Sequence, residues 1–221
     1  MVEEFADNRE SFITMDCFAT SKIEEKKSVF HGWASPIRSE QEALDLIDKA
    51  KKQYPDAKHH VYAWILGGNI LRNKYSDDGE PGGTAGLPVF DVLRKNSIED
   101  AIIIVTRYFG GTLLGTGGLV HAYTNAAVKA LKDSNPVRMR RCLIFDLETT
   151  YADLEKIKRG LNDPAFTIDV GEYGSVVKAQ VSCLENKRDA LFRLVADTSS
   201  GRASLDFIEN SYRRSESILL P

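Results

Sequence analysis

The sequence predicts a two-domain α+β protein, and three observations point there. The most apolar run, Ala101-Ile102-Ile103-Ile104-Val105, has the length and β-branching of a strand buried on both faces. Leu119, Val120, Tyr123, Ala126, Ala127, Ala130 and Leu131 then recur at helical spacing. Beyond the polar segment Lys132-Asp133-Ser134-Asn135-Pro136 the texture changes to short alternating strands and helices. That segment is the best domain boundary, separating 1–136 from 137–221.

The elements can be justified in order. Ser11 to Pro36 reads as strands: Ile13, Met15, Cys17 and Ala19 alternate, and Phe30 and Trp33 mark a second run after the charged turn Glu24-Glu25-Lys26-Lys27. Ser39 is an N-cap, and Glu42 completes its capping box. Ala43, Leu46, Ile47, Ala50 and Tyr54 form one helical stripe, which Pro55 stops. His60 to Leu66 is a strand ending at Gly67-Gly68, and Leu87 to Leu93 is helical. The second domain reads as strand (142–147), helix (151–162), strand (166–170), strand (176–182), helix (188–197) and strand (203–208). Gly171 and Gly174 lie in the hairpin between the middle strands. That order, βαββαβ, is the ferredoxin-like pattern, a superfold that specifies no activity.

Composition narrows the function classes. With 221 residues and 28% charged side chains, the chain reads as an ordinary soluble protein able to bury a core. No apolar run approaches the ~20 residues of a membrane helix. Glu3, Glu4, Asp7 and Glu10 do not fit a secretory signal. Three scattered cysteines, Cys17, Cys142 and Cys183, suggest reduced thiols in a cytoplasmic protein and show no metal-ligand spacing. The net charge of −3 weighs against gripping nucleic acid by bulk electrostatics, and no DNA sequence-specific motif is present. Residues 137–221 carry 13 basic and 13 acidic side chains, and residues 1–136 carry 16 and 19. Locally, Arg138, Arg140 and Arg141 cluster, and are read either as a solvated face or as a small phosphate-contacting patch.

Two stretches carry the candidate chemistry. Thr106-Arg107-Tyr108-Phe109-Gly110-Gly111-Thr112-Leu113-Leu114-Gly115-Thr116-Gly117-Gly118 joins the buried strand to the buried helix. Its glycines permit tight packing or a close approach by a ligand, and bare amides at a helix start are a ready anion site. Arg107, at the edge of the turn, could offer a fork of donors to a phosphate. The stretch is neither a Walker A loop nor a Gly-x-Gly-x-x-Gly turn. Ser76-Asp77-Asp78-Gly79-Glu80-Pro81-Gly82-Gly83-Thr84-Ala85-Gly86 is an acidic turn and glycine loop ahead of a helix. Asp77, Asp78 and Glu80 could hold Mg²⁺ or act on a hydroxyl, or could satisfy backbone amides in turns. His59 and His60 point to opposite faces of a strand and cannot easily share a metal.

These two motifs, with His59-His60 before Tyr62-Ala63-Trp64, resemble the YigZ branch of the IMPACT family over nearly the whole chain. The resemblance implies a ribosomal-protein-S5-domain-2-like first domain, a left-handed βαβ α+β fold, and a ferredoxin-like second domain. It implies a pairing similar to the last two domains of elongation factor G. Eukaryotic relatives are associated with translational control.

Two functions of different class follow. The first is a non-enzymatic RNA- or ribosome-associated regulator of translation. In it Ser76, Thr84, Arg107, Gly110, Gly111, Gly115, Thr116, Gly117 and Gly118 receive phosphates, and Arg138, Arg140 and Arg141 extend the track. The second is a Mg²⁺-dependent enzyme acting on a phosphorylated small molecule, with Asp77, Asp78 and Glu80 as metal ligands or base. No cofactor is assigned, and no membrane partner is expected.

Overall fold

The computed structural model describes residues 9–174 and 176–218; Glu3, Glu4 and Asp7 lie outside the described residues. The chain is α+β and forms two compact units, Met1–Met139 with Ser215–Pro221, and Arg140–Arg214. The division falls inside a strand that Pro136 opens, just beyond the polar segment, and the residues from Ser215 cluster with the first unit.

The first unit contains β1 (Ser11–Met15), β2 (Ala19–Glu25), β3 (Ser28–Pro36), α1 (Glu40–Gln53), β4 (His59–Leu66), β5 (Arg72–Ser76), α2 (Gly86–Lys95), β6 (Ala101–Tyr108) and α3 (Gly115–Asp133). One sheet runs in the order β2-β3-β6-β4-β5, with every neighbouring pair antiparallel. β6 lies at its centre, and only the last of its eight residues escapes full burial. Strand alternation sends its side chains to two cores. Ala101, Ile103 and Val105 pack with Val89 and Leu93 of α2 and Ala126 and Ala130 of α3. Ile102 and Ile104 pack with Trp33, Trp64 and, from α1, Ala43 and Ile47.

Local signals set the helices. Ser39 Oγ accepts from the Glu42 amide at 3.2 Å, and the Glu42 carboxylate accepts from the Arg38 amide at 2.8 Å, one residue earlier than in a standard capping box. The alanine face of α3 lets it lie close on the sheet. A Cβ at Gly32 would sit 2.7 Å from Ser21 Oγ and 3.0 Å from the Ala126 carbonyl oxygen. β5 has no counterpart in the sequence reading. Its residues are nearly all exposed, because it is an edge strand with no apolar alternation to mark it.

In the second unit the order is β7 (Pro136–Thr149, whose first residues belong to the first unit), α4 (Tyr151–Gly160), β8 (Phe166–Tyr173), β9 (Val177–Leu184), a 3-10 turn (Glu185–Lys187), α5 (Arg188–Ser199) and β10 (Ser204–Ser217). The sheet has five strands: the path runs β1-β7-β9-β8, and β10 also pairs with β7, so the strands of this unit alone are ordered β10-β7-β9-β8. Phe145, Leu147, Val181, Leu154 and Ile157 share its core with Leu191 and Val195. Thr150 caps α4, and the buried Asp153 carboxylate accepts from Arg202 at 2.9 and 3.1 Å. Arg202, and secondarily Thr150, hold that carboxyl below its usual range.

Candidate functional site

The acidic loop between β5 and α2 is tied inward at three separate points. Asp77 Oδ1 accepts from the amides of Ala85 and Gly86 at 3.0 and 2.8 Å, and its Oδ2 accepts from the Gly83 amide at 2.9 Å. It therefore supplies the anion at the start of α2, whose own N-cap residue, Ala85, offers no side-chain bond. Asp78 Oδ2 accepts from the His60 amide at 2.6 Å, and the Asp78 carbonyl lies 2.8 Å from His59 Nδ1. Glu80 turns into the core. Its Oε1 accepts from Arg107 at 2.7 Å and from the Tyr123 hydroxyl at 2.7 Å.

Arg107 is thus placed differently from the sequence expectation of a phosphate fork at the turn. The residue is 6% exposed, on the same face of β6 as Val105, between the sheet and α3. Its second terminal nitrogen is 3.5 Å from Ser28 Oγ, and its Cζ lies 5.6 Å from the ring centres of both Phe30 and Phe109. Nε has no hydrogen-bond partner among the described residues. Burial, and then the bond to Glu80, push the Tyr123 hydroxyl far above its usual range, so it donates as a neutral phenol. In the sequence Tyr123 reads as a core residue of the helix stripe, and Ser28 does not stand out. Neither position carries a local signal, because their roles depend on Glu80 and Arg107 arriving from elsewhere.

Expected as Mg²⁺ ligands or a base, Asp77, Asp78 and Glu80 do not converge; each carboxylate serves a different protein donor. Among the described residues no group of three or more His, Cys, Asp or Glu side chains gathers for a metal. His59 and His60 diverge, His60 Nδ1 lying 3.0 Å from Thr106 Oγ1 on the α1 face. Burial lowers the His60 pKa, against a smaller raising effect of Asp78. Ser76 Oγ accepts from the Asp78 amide, and Thr84 Oγ1 donates to the Pro81 carbonyl, so both expected hydroxyl ligands are engaged inside the loop.

The glycines divide by role. A Cβ at Gly110 would lie 2.0 Å from the Lys27 backbone, and one at Gly86 would lie 2.6 Å from Ser76; both are packing glycines. The Gly110 amide is already bonded to Ser28 Oγ at 3.2 Å. Gly111, Gly115 and Gly117 face open space instead. α3 begins at Gly115, four residues before the apolar stripe that marks it in sequence. It has no side-chain cap and no acidic residue in its first turn, where Thr116 and Gly117 are exposed.

The expected arginine patch is divided. Arg138 belongs to the first unit, and Arg140 and Arg141 to the second. Strand alternation sends Arg140 and Arg141 to opposite faces, and Arg141 lies 3.8 Å from Glu185.

Fold and site together define a two-unit α+β protein in which an acidic glycine loop is locked to a central strand and a glycine-initiated helix. Comparison with known proteins identifies the class. The Impact N-terminal domain matches residues 26–131. The chain is 33% identical to the IMPACT family member YvyE of Bacillus subtilis over 202 residues, 91% of this chain and 93% of that one. It is 32% identical over 202 residues to the IMPACT family member YigZ of Escherichia coli, covering 90% and 99%. A crystal structure of a hypothetical protein superposes with a TM-score of 0.59 at 32% identity, covering 91% of this chain and 98% of that one. The chain belongs to the IMPACT family.

Proposed function

We propose that this protein regulates translation by associating with RNA or the ribosome, and that it receives phosphate groups on the backbone amides that open α3. One observation carries the reading: the two helices that follow glycine loops are treated oppositely. Asp77 covers the amides of α2, whereas α3 starts on Gly115-Thr116-Gly117-Gly118 with no capping side chain and no carboxylate in its first turn. An approaching phosphate is favoured by the helix dipole and meets little side-chain cover. Arg107 acts here as a positioning residue, holding β6 and α3 to the acidic loop. Family membership supports the translational role.

We read the first unit as S5-domain-2-like and the second as ferredoxin-like. The βαββαβ order and the β10-β7-β9-β8 arrangement support the second assignment.

Co-sedimentation with purified ribosomes and binding to total cellular RNA across a salt series test the proposal. Saturable binding that weakens steeply with salt is expected, since each phosphate contact releases counterions. Absence of binding to either at low salt would overturn it.

A further inference from the structure

The α1 side of the first sheet ends in a group of aromatic rings that the glycine loops do not use. Alternation brings His31 and Trp33 of β3 and Tyr108 of β6 to that side, and Tyr54, which ends α1, joins them. His31 and Tyr54 are stacked, with centroids 4.7 Å apart and planes 24° from parallel. Tyr108 stands edge-on to both, at 5.9 and 6.4 Å. Trp33 meets Tyr54 at 5.9 Å and Phe18 at 5.3 Å. A sealed core would bury this group, yet His31, Tyr54 and Tyr108 are partly exposed and Phe18 is 45% exposed.

Lysines border the rings. Lys22 pairs with His31 across β2 and β3, on the same face. The Lys49 ammonium lies 5.9 Å from the Phe18 ring centre. Lys51 is near enough to His60 to act on its titration, and Lys52 follows in the last turn of α1. None of these four lysines is ion-paired with another described residue. Glu24 shares the Lys22 side of β2 and Asp48 lies on α1, so the border is mixed in charge. Burial, and then Lys22, lower the His31 pKa, which favours a neutral ring at pH 7.

We propose that this surface is a stacking platform for single-stranded RNA. Bases extend the His31–Tyr54 stack and cover Tyr108 and Phe18, while Lys22, Lys49 and Lys51 take the flanking phosphates. Planar rings beside cations are the combination that sequence-tolerant single-strand binding uses. An acidic peptide would engage the lysines but gain little from a stack. The inference rests on RNA as the partner, but places it on a surface distinct from the start of α3.

The test is fluorescence anisotropy of the intact chain with a short fluorescein-labelled single-stranded RNA, over a salt series. Tyr54→Leu keeps an apolar side chain at a half-buried position, and Phe18→Ala alters an exposed one. Each is expected to weaken binding about tenfold with the salt slope unchanged. Joint Lys22→Gln and Lys51→Gln should reduce the slope by about 1.4. If the wild type binds and both aromatic variants match it, the platform is refuted while the RNA reading stands. If the wild type does not bind at low salt, both fall. Preference for a polyglutamate peptide over RNA would overturn RNA as the occupant.

Discussion

The Arg107 guanidinium and the Glu80 carboxylate meet at 2.7 Å with side chains only 7% and 4% exposed, and Tyr123 donates to the same carboxylate oxygen. Glu80 comes from the acidic loop, Arg107 from the central strand and Tyr123 from the helix that opens on glycine. The two unusual stretches of the sequence are therefore joined by one buried charge pair, which makes them a single structural object.

Breaking that pair should be costly. Arg107→Ala strands a buried carboxylate and should lower stability by about 3–5 kcal/mol, read as a shift in the urea midpoint. Joint Glu80→Leu, Arg107→Met and Tyr123→Phe should recover most of the loss, because well-packed apolar replacements of a buried pair are often neutral and the third change removes the hydroxyl that would lose its acceptor. If Arg107→Ala left the midpoint unchanged, the pair would not be structural.

Asp77 should behave as a helix cap. Asp77→Ala removes acceptors from three amides and should cost about 1–2 kcal/mol, with Asp77→Asn losing less. Thermal unfolding of the two variants checks the ranking.

How far the sequence could be read follows from these ties. The central strand announces itself by a β-branched run, α1 by its capping box, and the second unit by its alternation of elements. Each of those signals is local. The edge strand Arg72–Ser76 has none, because a polar strand paired on one side needs no apolar alternation. Asp77 was legible as a turn former but not as the cap of α2, because the amides it reaches lie six to nine residues ahead. Arg107 looked like a ligand because its neighbours are loop-like, and its burial depends on a partner far away in sequence. The ring cluster is drawn from separate elements and becomes visible only when β3, β6 and the end of α1 are brought together.

Acid should loosen the second unit through Asp153. Its folded pKa is lowered by Arg202, so the pair contributes stability above the ordinary value of 3.8. That contribution is lost as pH falls through the lowered folded value. Wild type should therefore lose stability relative to Arg202→Met on going from neutral pH to below the ordinary value, in urea titrations at each pH.

Two glycines should respond in opposite directions. Gly110→Ala would force a Cβ against the Lys27 backbone and should destabilise by roughly 1–3 kcal/mol. Gly117→Ala meets nothing within 4 Å inside α3 and should stabilise by about 0.5–1 kcal/mol. Urea midpoints of both variants give the comparison.

The most direct measurement is the ribosome and RNA affinity of Gly117→Ala beside wild type, at low and physiological salt. If the open amides of α3 receive phosphate, a methyl group there weakens binding severalfold in a protein that is at least as stable. Unchanged affinity in the stabilised variant, with wild type binding normally, would contradict the claim that the start of α3 is the phosphate site.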